Sequence, residues 1–102
     1  MTFEWDEKKN TENIHKHGLD FAEAFKVFQN PLLIKLDNRY GYTEERYIGI
    51  GYLSGRNVVI VYTERGPDKI RVISLRKANS REKDIYEKAI KNKLETRRFN
   101  EG

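Results

Sequence analysis

Arginines and one acid pair follow the strand-like runs in the second half of this 102-residue chain. Glu45 and Arg46 open one run, Arg65 closes the next, and Arg71 and Arg76 lie within and at the end of a third. Guanidinium groups on a rigid sheet suit bidentate recognition of phosphate and stabilisation of a pentacoordinate phosphorane. Such residues could cleave RNA without a metal ion, with the substrate's own 2′-hydroxyl as the nucleophile.

Two side chains could take the proton of that nucleophile. Either His17, in an N-terminal helical segment, or Glu45 could be the general base, and an arginine or tyrosine could act on the leaving group. His17 has an equally open structural role, because a helix dipole stabilises a cation near the C-terminus of the helix. The arginines also have an alternative role in surface ion pairs. The acidic residues available for such pairs are Glu44, Glu45, Glu64 and Asp68.

Strict alternation along the third run predicts that Arg71 and Arg76 lie on opposite faces of the sheet. Lys77 and, in the following helix, Arg81 add cations that we expect to bind the RNA backbone. The full sets are Ile70, Val72, Ser74 and Arg76 on one face, and Arg71, Ile73, Leu75 and Lys77 on the other.

Other common sites are not favoured by the residues present. The segment Gly49-Ile50-Gly51 lies in a strand and does not open a helix, so it is not a phosphate loop. Glycine at these positions instead indicates the close approach of another backbone or helix. His15 and His17, the only two histidines, point in different directions on a helix, which argues against a metal site. We expect no cofactor.

Composition and charge limit the class of protein. The chain has no cysteine, which fits a reducing cytoplasm, and its longest apolar run, residues 58–62, is far shorter than the roughly 20 residues of a membrane span. Residues 1–30 carry a formal charge of −2, whereas residues 76–98 carry +5. This asymmetry indicates a face that favours an anionic partner, either nucleic acid or an acidic protein.

The N-terminal third of the chain predicts a strand and two helices. A strand over Thr2–Trp5 precedes a helix that Asp6 caps and Gly18 ends after His17. Asp20 and Glu23 predict a capping box for the second helix, which Asn30-Pro31 ends. The buried face predicted for this helix consists of Phe21, Ala24, Phe25 and Phe28.

The remainder predicts an antiparallel meander and a C-terminal helix. A short strand over Leu32–Leu36 precedes three runs, and the connections between these runs are too short for parallel crossovers. The runs cover Glu45–Leu53, Asn57–Arg65 and Lys69–Arg76, the middle one being apolar enough for a central strand. Asn79 and Glu82 predict a capping box for the last helix, whose apolar stripe consists of Ile85, Tyr86, Ala89, Ile90 and Leu94. We therefore expect one α+β domain over residues 1–102, with residues 95–102 as a frayed tail.

The order of short motifs along the chain resembles the BrnT family over most of its length. No single motif carries the resemblance, but their combination in order is specific. The N-terminal part of the pattern is Phe3-Glu4-Trp5-Asp6, Lys9, Asn13, Lys16-His17-Gly18, Phe21, Glu23-Ala24, Val27-Phe28 and Asn30-Pro31. The second part is Glu45-Arg46, Ile48-Gly49, Val61-Tyr62-Thr63, Arg65, Ile70-Arg71-Val72-Ile73-Ser74, Arg76-Lys77-Ala78, Glu82 and Tyr86.

The resemblance implies a RelE-like fold and a type II toxin that cleaves RNA and arrests translation. It also implies neutralisation by a BrnA-like antitoxin, in a complex that binds operator DNA through the antitoxin. The catalytic residues carried over by position are His17, Glu45, Arg46, Arg65, Arg71 and Arg76. Two alternatives stay open, namely a non-catalytic module that binds nucleic acid or protein and an inactive remnant that binds only its antitoxin.

Overall fold

The computed structural model describes residues 1–41 and 43–101, with side chains described as far as residue 92. The strands are β1 (Thr2–Glu4), β2 (Leu33–Asp37), β3 (Arg46–Leu53), β4 (Arg56–Glu64) and β5 (Lys69–Lys77). The helices are α1 (Glu7–His17), a 3₁₀ turn (Phe21–Glu23), α2 (Ala24–Phe28) and α3 (Ser80–Glu101). Among the described residues, no helix combines the length and apolar character needed to cross a bilayer.

The strands form a single five-stranded sheet in the order β1-β5-β4-β3-β2. Strands β2 to β5 are antiparallel neighbours, which confirms the predicted meander, and β4 is the central strand. β1 adds to the edge as a parallel partner of β5, pairing Thr2 with Lys69 and Glu4 with Arg71. The α+β class and the predicted order of elements are therefore confirmed.

Helix α1 begins and ends where the sequence predicts. The Asp6 side chain accepts a hydrogen bond from the Lys9 backbone N–H at 3.0 Å, and Gly18 ends the helix with a φ of +71°. Asn13 holds the helix against the sheet, because its side-chain amide donates to the carbonyl of Leu75 and accepts from the N–H of the same residue. β1 pairs only with Lys69–Arg71, so Asn13 satisfies part of the β5 edge that β1 leaves open.

The second helix differs from its prediction in its start and in its buried face. Asp20 accepts a hydrogen bond from the N–H of Ala22 and caps a 3₁₀ turn, and the predicted capping box with Glu23 is wrong. A 3₁₀ turn has three residues, so the buried positions recur every third residue. These positions are Phe21, Ala24 and Val27. Phe25 is 43% exposed instead of buried as predicted, and Phe28 is half-buried.

Helix α2 lies against the glycines of β3, as the sequence indicates. A Cβ atom on Gly51 would lie 2.7 Å from Val27 Cγ1 and 2.9 Å from Leu32 Cδ1. A Cβ atom on Gly49 would lie 3.0 Å from the same Leu32 atom. Glycine thus allows α2 and the chain after it to pack directly on the backbone of the sheet.

Helix α3 is opened by the predicted capping box. The Asn79 N–H donates to Glu82 Oε1 at 2.9 Å, and the Glu82 N–H donates to Asn79 Oδ1 at 2.8 Å. Within the predicted stripe Tyr86 is buried and donates its hydroxyl to the carbonyl of Pro31, whereas Ile85 is 43% exposed. The helical backbone continues past the predicted end of the stripe to Glu101. The side chains of Leu94 and of the proposed tail 95–102 lie outside the described residues, so the frayed tail stays a prediction.

Candidate active site

A β-bulge in β5 sets the direction of the candidate site residues. Val61 pairs with Ser74, but the next residue of β4, Tyr62, pairs with Val72, so Ile73 is an extra residue in β5. Ile70, Val72 and Leu75 consequently all lie in the core under the helices. The predicted strict alternation, with Arg71 and Arg76 on opposite faces, is therefore wrong.

The bulge instead places both arginines on the face opposite α1 and α2, which we call the arginine face. Arg71 pairs with Thr63 and Arg76 pairs with Val59, and neither partner belongs to the core cluster under the helices. By strand rise, the two arginines stand roughly 15 Å apart along β5. Ser74 lies between them on the same face.

Near one end of the sheet, polar side chains form a row across all five strands of the arginine face. Glu4 pairs with Arg71, Arg71 with Thr63, and Arg46 with Asp37. Tyr47 pairs with Tyr62, so Arg46 stands opposite Thr63 and the row is continuous. The Thr63 hydroxyl donates to the carbonyl of Glu45 at 2.7 Å. The order across the sheet is thus Glu4, Arg71, Thr63, Arg46 and Asp37.

Arg71 is held by the acid at the β1 end of this row. Its guanidinium donates to Glu4 Oε2 at 2.6 Å, and Lys69 Nζ lies 3.6 Å from Glu4 Oε1. The hydrogen bond from Arg71 is the largest cause of a lowered pKa for the Glu4 carboxyl, with the charge of Lys69 adding to it. The Arg71 side chain keeps a third of its surface exposed, so its free edge remains accessible to an anion.

Arg46 and Arg65 share one carboxylate. Glu44 Oε2 lies 3.3 Å from Arg65 Nη2, and Glu44 Oε1 lies 3.8 Å from Arg46 Nε. Glu44 is a third exposed and stands at the end of the sheet, just before β3 begins. The sequence singled out Glu45 and named Glu44 only as an ion-pair partner, because alternation alone does not say which of two adjacent acids faces the arginines.

Arg76 forms a bidentate ion pair with Glu82. Its Nη1 and Nη2 donate to Glu82 Oε1 and Oε2, both at 2.8 Å. These hydrogen bonds are the largest cause of a raised pKa for Arg76 and of a lowered pKa for Glu82. The charge of Arg39 opposes the shift of Arg76, and the charge of Lys35 adds to that of Glu82, so both cations lie near this pair.

A second bidentate pair was not predicted from the sequence. Arg39 Nε and Nη2 donate to Asp37 Oδ1 and Oδ2 at 2.7 and 2.9 Å, and the Asp37 side chain has no exposed surface. The Arg39 guanidinium also lies 5.8 Å from the ring centroid of Tyr40. The only sequence signal for this arrangement is an acid and a cation two residues apart in a polar connection.

His17 and Glu45 do not join the arginines on their face. His17 ends α1 one turn after Asn13, and among the described residues it has no hydrogen bond or ion pair with any of the four predicted arginines. The Glu45 carboxylate accepts a hydrogen bond from the Tyr47 hydroxyl at 3.2 Å. The Tyr47 ring stacks on the core residue Tyr62, whose pKa burial raises to about 12. Glu45 still lines the rim of a groove of about 400 Å³ that Arg65 and Glu44 also line.

The two cations predicted to bind RNA occupy different grooves. Lys77 lies at the end of β5 in a groove of about 360 Å³ that also contains Arg56, Lys83 and the half-exposed Tyr52. Arg81 lines an apolar groove between the sheet and the start of α3, together with Ile48, Ile50, Val59, Ile85, Lys35 and Glu82. α3 therefore contributes to both grooves.

The arrangement is compatible with both roles considered for the arginines, namely phosphate recognition and surface ion pairing. All four predicted arginines form ion pairs, but only Glu44 of the predicted partners takes part, and Glu4 and Glu82 stand in place of Glu45, Glu64 and Asp68. Each also keeps between a quarter and a half of its side-chain surface exposed. Exposed guanidinium groups held in place by carboxylates can bind a phosphate and stabilise added negative charge on it.

The chain is similar to known proteins in both sequence and fold. Residues 5–82 match the model of a family described as the ribonuclease toxin BrnT of type II toxin–antitoxin systems. The fold is similar to the crystal structure of the Brucella abortus ribonuclease toxin BrnT, with a TM-score of 0.61 and 33% sequence identity. That similarity covers 78% of this chain and 99% of the Brucella chain. No protein in the curated set matches.

Proposed function

This chain belongs to the BrnT family of ribonuclease toxins of type II toxin–antitoxin systems, and we propose that it cleaves RNA internally, without a metal ion, and so inhibits translation. The observation that carries the proposal is the arginine face, on which Arg46, Arg65 and Arg71 surround Thr63 at one end of the sheet. A phosphate placed there would meet three guanidinium groups, and Arg76 would bind further along the RNA.

The contacts of these arginines support a role in stabilising charge. Arg71 is fixed by a short hydrogen bond to Glu4, so its orientation is set before RNA binds. Arg46 and Arg65 make longer contacts of 3.8 and 3.3 Å with Glu44, which a phosphate can replace. Preorganised donors of this kind stabilise a phosphorane whose negative charge grows during the reaction. The RNA supplies its own 2′-hydroxyl, so the reaction needs no metal-bound water.

The partner proposed for this toxin is a BrnA-like antitoxin whose DNA-binding domain carries the complex to its operator. Membership of a type II family implies an antitoxin and an RNA target. We place both in the cytoplasm, where the RNA and the operator are found, and the absence of cysteine fits this assignment.

The test is RNA cleavage by the purified chain in EDTA, with total RNA as the substrate. Arg65→Ala and Arg76→Ala remove one cation from each end of the arginine face. The matched control is Lys8→Ala, which removes an exposed cation from α1 on the other side of the molecule. We expect cleavage by the parent and the control, and losses on the order of 100-fold or more in the two arginine variants. Circular dichroism establishes that each variant is folded.

A non-catalytic binding module is the second candidate, favoured by the ion pairing of all four arginines. Absence of cleavage by the folded parent, on free RNA and on ribosomes, would support this module instead. Cleavage that persists unchanged in both arginine variants would retain the ribonuclease and remove the arginine face as its site.

A further inference from the structure

We propose that Glu44, rather than His17 or Glu45, is the general base of the cleavage reaction, an inference that rests on the proposed ribonuclease function. Glu44 lies with Arg46 and Arg65, at 3.8 and 3.3 Å, on the face where the phosphate would bind. A base must reach the 2′-hydroxyl next to that phosphate, either directly or through one water. Glu44 lies beside the two guanidinium groups that would hold the phosphate, whereas the carboxylate of Glu45 is bonded to Tyr47 beside the core.

The other carboxylates described on the arginine face are already engaged. Asp37 is enclosed and accepts from Arg39 with both oxygens. Glu82 accepts three hydrogen bonds, two from Arg76 and one from the Asn79 N–H. Glu4 accepts a 2.6 Å hydrogen bond from Arg71 and also contacts Lys69.

Glu44 differs from all three in its free acceptor capacity. Its contacts with Arg46 and Arg65 are ion pairs, and it accepts no hydrogen bond from any residue in the described part of the chain. A third of its side-chain surface is exposed. It lines the groove of about 400 Å³ at the sheet end, together with Thr63, Arg65 and Gly66. A ribose and its phosphate can therefore approach the carboxylate from solvent.

The step that follows is a proton transfer coupled to phosphoryl transfer. The 2′-hydroxyl gives its proton to a Glu44 carboxylate oxygen while the 2′-oxygen forms a bond to phosphorus. The bond from phosphorus to the 5′-oxygen breaks, and that oxygen takes a proton from solvent water. The products are a 2′,3′-cyclic phosphate and a 5′-hydroxyl end. Arg46 and Arg65 stabilise the charge on the phosphorane, and Glu44 then returns its proton to solvent.

The experiment compares pH–rate profiles for one RNA oligonucleotide that the parent cleaves at a single position. The variants are Glu44→Gln, which cannot accept the proton, and Glu44→Asp, which keeps a carboxylate on a shorter side chain. Glu12→Gln is the matched control, because Glu12 is an exposed acid of α1, which lies on the other side of the sheet from the arginine face. Circular dichroism and thermal melting accompany every variant.

We expect the parent rate to fall at acid pH, as the base becomes protonated. Glu44→Gln should lower kcat/KM by about 10²- to 10⁴-fold and abolish the acidic limb of the profile. Glu44→Asp should retain the limb with a smaller loss, and Glu12→Gln should match the parent.

An unchanged rate in Glu44→Gln would overturn the proposal. So would a lowered rate with the acidic limb intact, because Glu44 would then only position the two arginines. A folded parent that cleaves nothing at any pH is a different result, since it removes the ribonuclease function itself and the base with it.

Discussion

Both carboxylate oxygens of Glu82 accept hydrogen bonds from the guanidinium of Arg76, and Oε1 also accepts one from the Asn79 N–H, which completes the capping box of α3. One side chain therefore links the start of the C-terminal helix to a candidate site residue at the end of β5. The two functions of Glu82 can be separated by substitution, because glutamine also serves as the acceptor of a capping box.

Glu82→Gln should keep the cap and weaken the hold on Arg76, whereas Asn79→Ala should remove the cap and leave the ion pair. We expect each to lower the free energy of unfolding by about 1–2 kcal/mol at neutral pH, and only Glu82→Gln to reduce RNA cleavage. Denaturant unfolding and cleavage assays on the same preparations check both statements. Equal losses of cleavage in the two variants would contradict the separation.

The cost of Glu82→Gln should also depend on pH. The pKa of the Glu82 carboxyl is lowered in the folded protein, chiefly by its hydrogen bonds with Arg76. Its stabilising contribution is therefore present above the pKa of an unfolded glutamate, about 4.3, and is lost as pH falls through the folded value. The difference in unfolding free energy between parent and variant should shrink below about pH 4. A difference that grows on acidification would contradict this sign.

Gly51→Ala should destabilise the fold by about 1–3 kcal/mol. The added Cβ would meet Val27 Cγ1 at 2.7 Å, and Val27 is fully buried between α2 and β3 with little freedom to move. Gly41→Ala is the control, since a Cβ there would meet nothing within 4 Å. Thermal melting of the two variants tests the prediction, and equal shifts in both would show that α2 tolerates the extra carbon.

Asn13→Ala should be more damaging than its polar character suggests. The 7% exposed side chain donates to the carbonyls of Leu19 and Leu75 and accepts from the Leu75 N–H. Its removal leaves buried backbone groups unpaired, at a cost of about 2–4 kcal/mol. Denaturant unfolding measures the loss, with exposed Glu12→Ala as the neighbouring control. Hydrogen exchange at the Leu75 amide should accelerate in Asn13→Ala alone.

Lys77 and Lys83 should contribute to RNA affinity through the backbone of the RNA. Both line one groove, and neither forms an ion pair with any described residue, whereas Lys88 on the same helix lies 2.9 Å from Asp84. The slope of log K against log salt is negative, and in a cleavage-deficient Arg65→Ala background the removal of each free cation should reduce its magnitude by about 0.7. Lys88→Ala should leave the slope nearly unchanged. Equal effects of the substitutions at Lys77, Lys83 and Lys88 would indicate that the RNA is attracted by the overall positive charge rather than bound in this groove.

The features that the sequence predicted correctly are local ones. Asp6, Gly18 and the pair of Asn79 and Glu82 act within a few residues of their own backbone, so their spacing alone determines the caps. The central position of β4 follows in the same way, because residues 58–62 are apolar on both faces.

The incorrect predictions concern which residues of an element face the core, and local sequence patterns do not determine this when the element contains a 3₁₀ turn or a bulge. The 3₁₀ turn before α2 exchanges Phe25 for Val27 on the buried face. The extra residue Ile73 exchanges the faces of Ser74, Leu75 and Arg76 relative to strict alternation. Pairing with β4 determines the position of this bulge, and periodicity within β5 gives no sign of it.

For the candidate site as well, residue types could be predicted from the sequence, whereas the contacts between distant elements could not. The arginines were found by residue type and by resemblance, and the structure places all four on one face. Their partners Glu4 and Glu82 come from elements far from the meander or beyond it, so ion pairing could be expected but its partners could not. Glu44 and Glu45 are adjacent, and only the start of β3 decides which of them faces Arg65.

The extra residue in β5 also affects how relatives of this protein should be compared. In an alignment, a one-residue gap between Arg71 and Arg76 would look like a neutral length difference in a strand. Here it would erase the bulge and rotate either Arg71 or Arg76 to the helix side, with the amino acids of the strand otherwise unchanged. Homologues with every arginine conserved but one residue missing from this strand would therefore be candidates for inactive toxins, and surveys based on residue identity alone would count them as active.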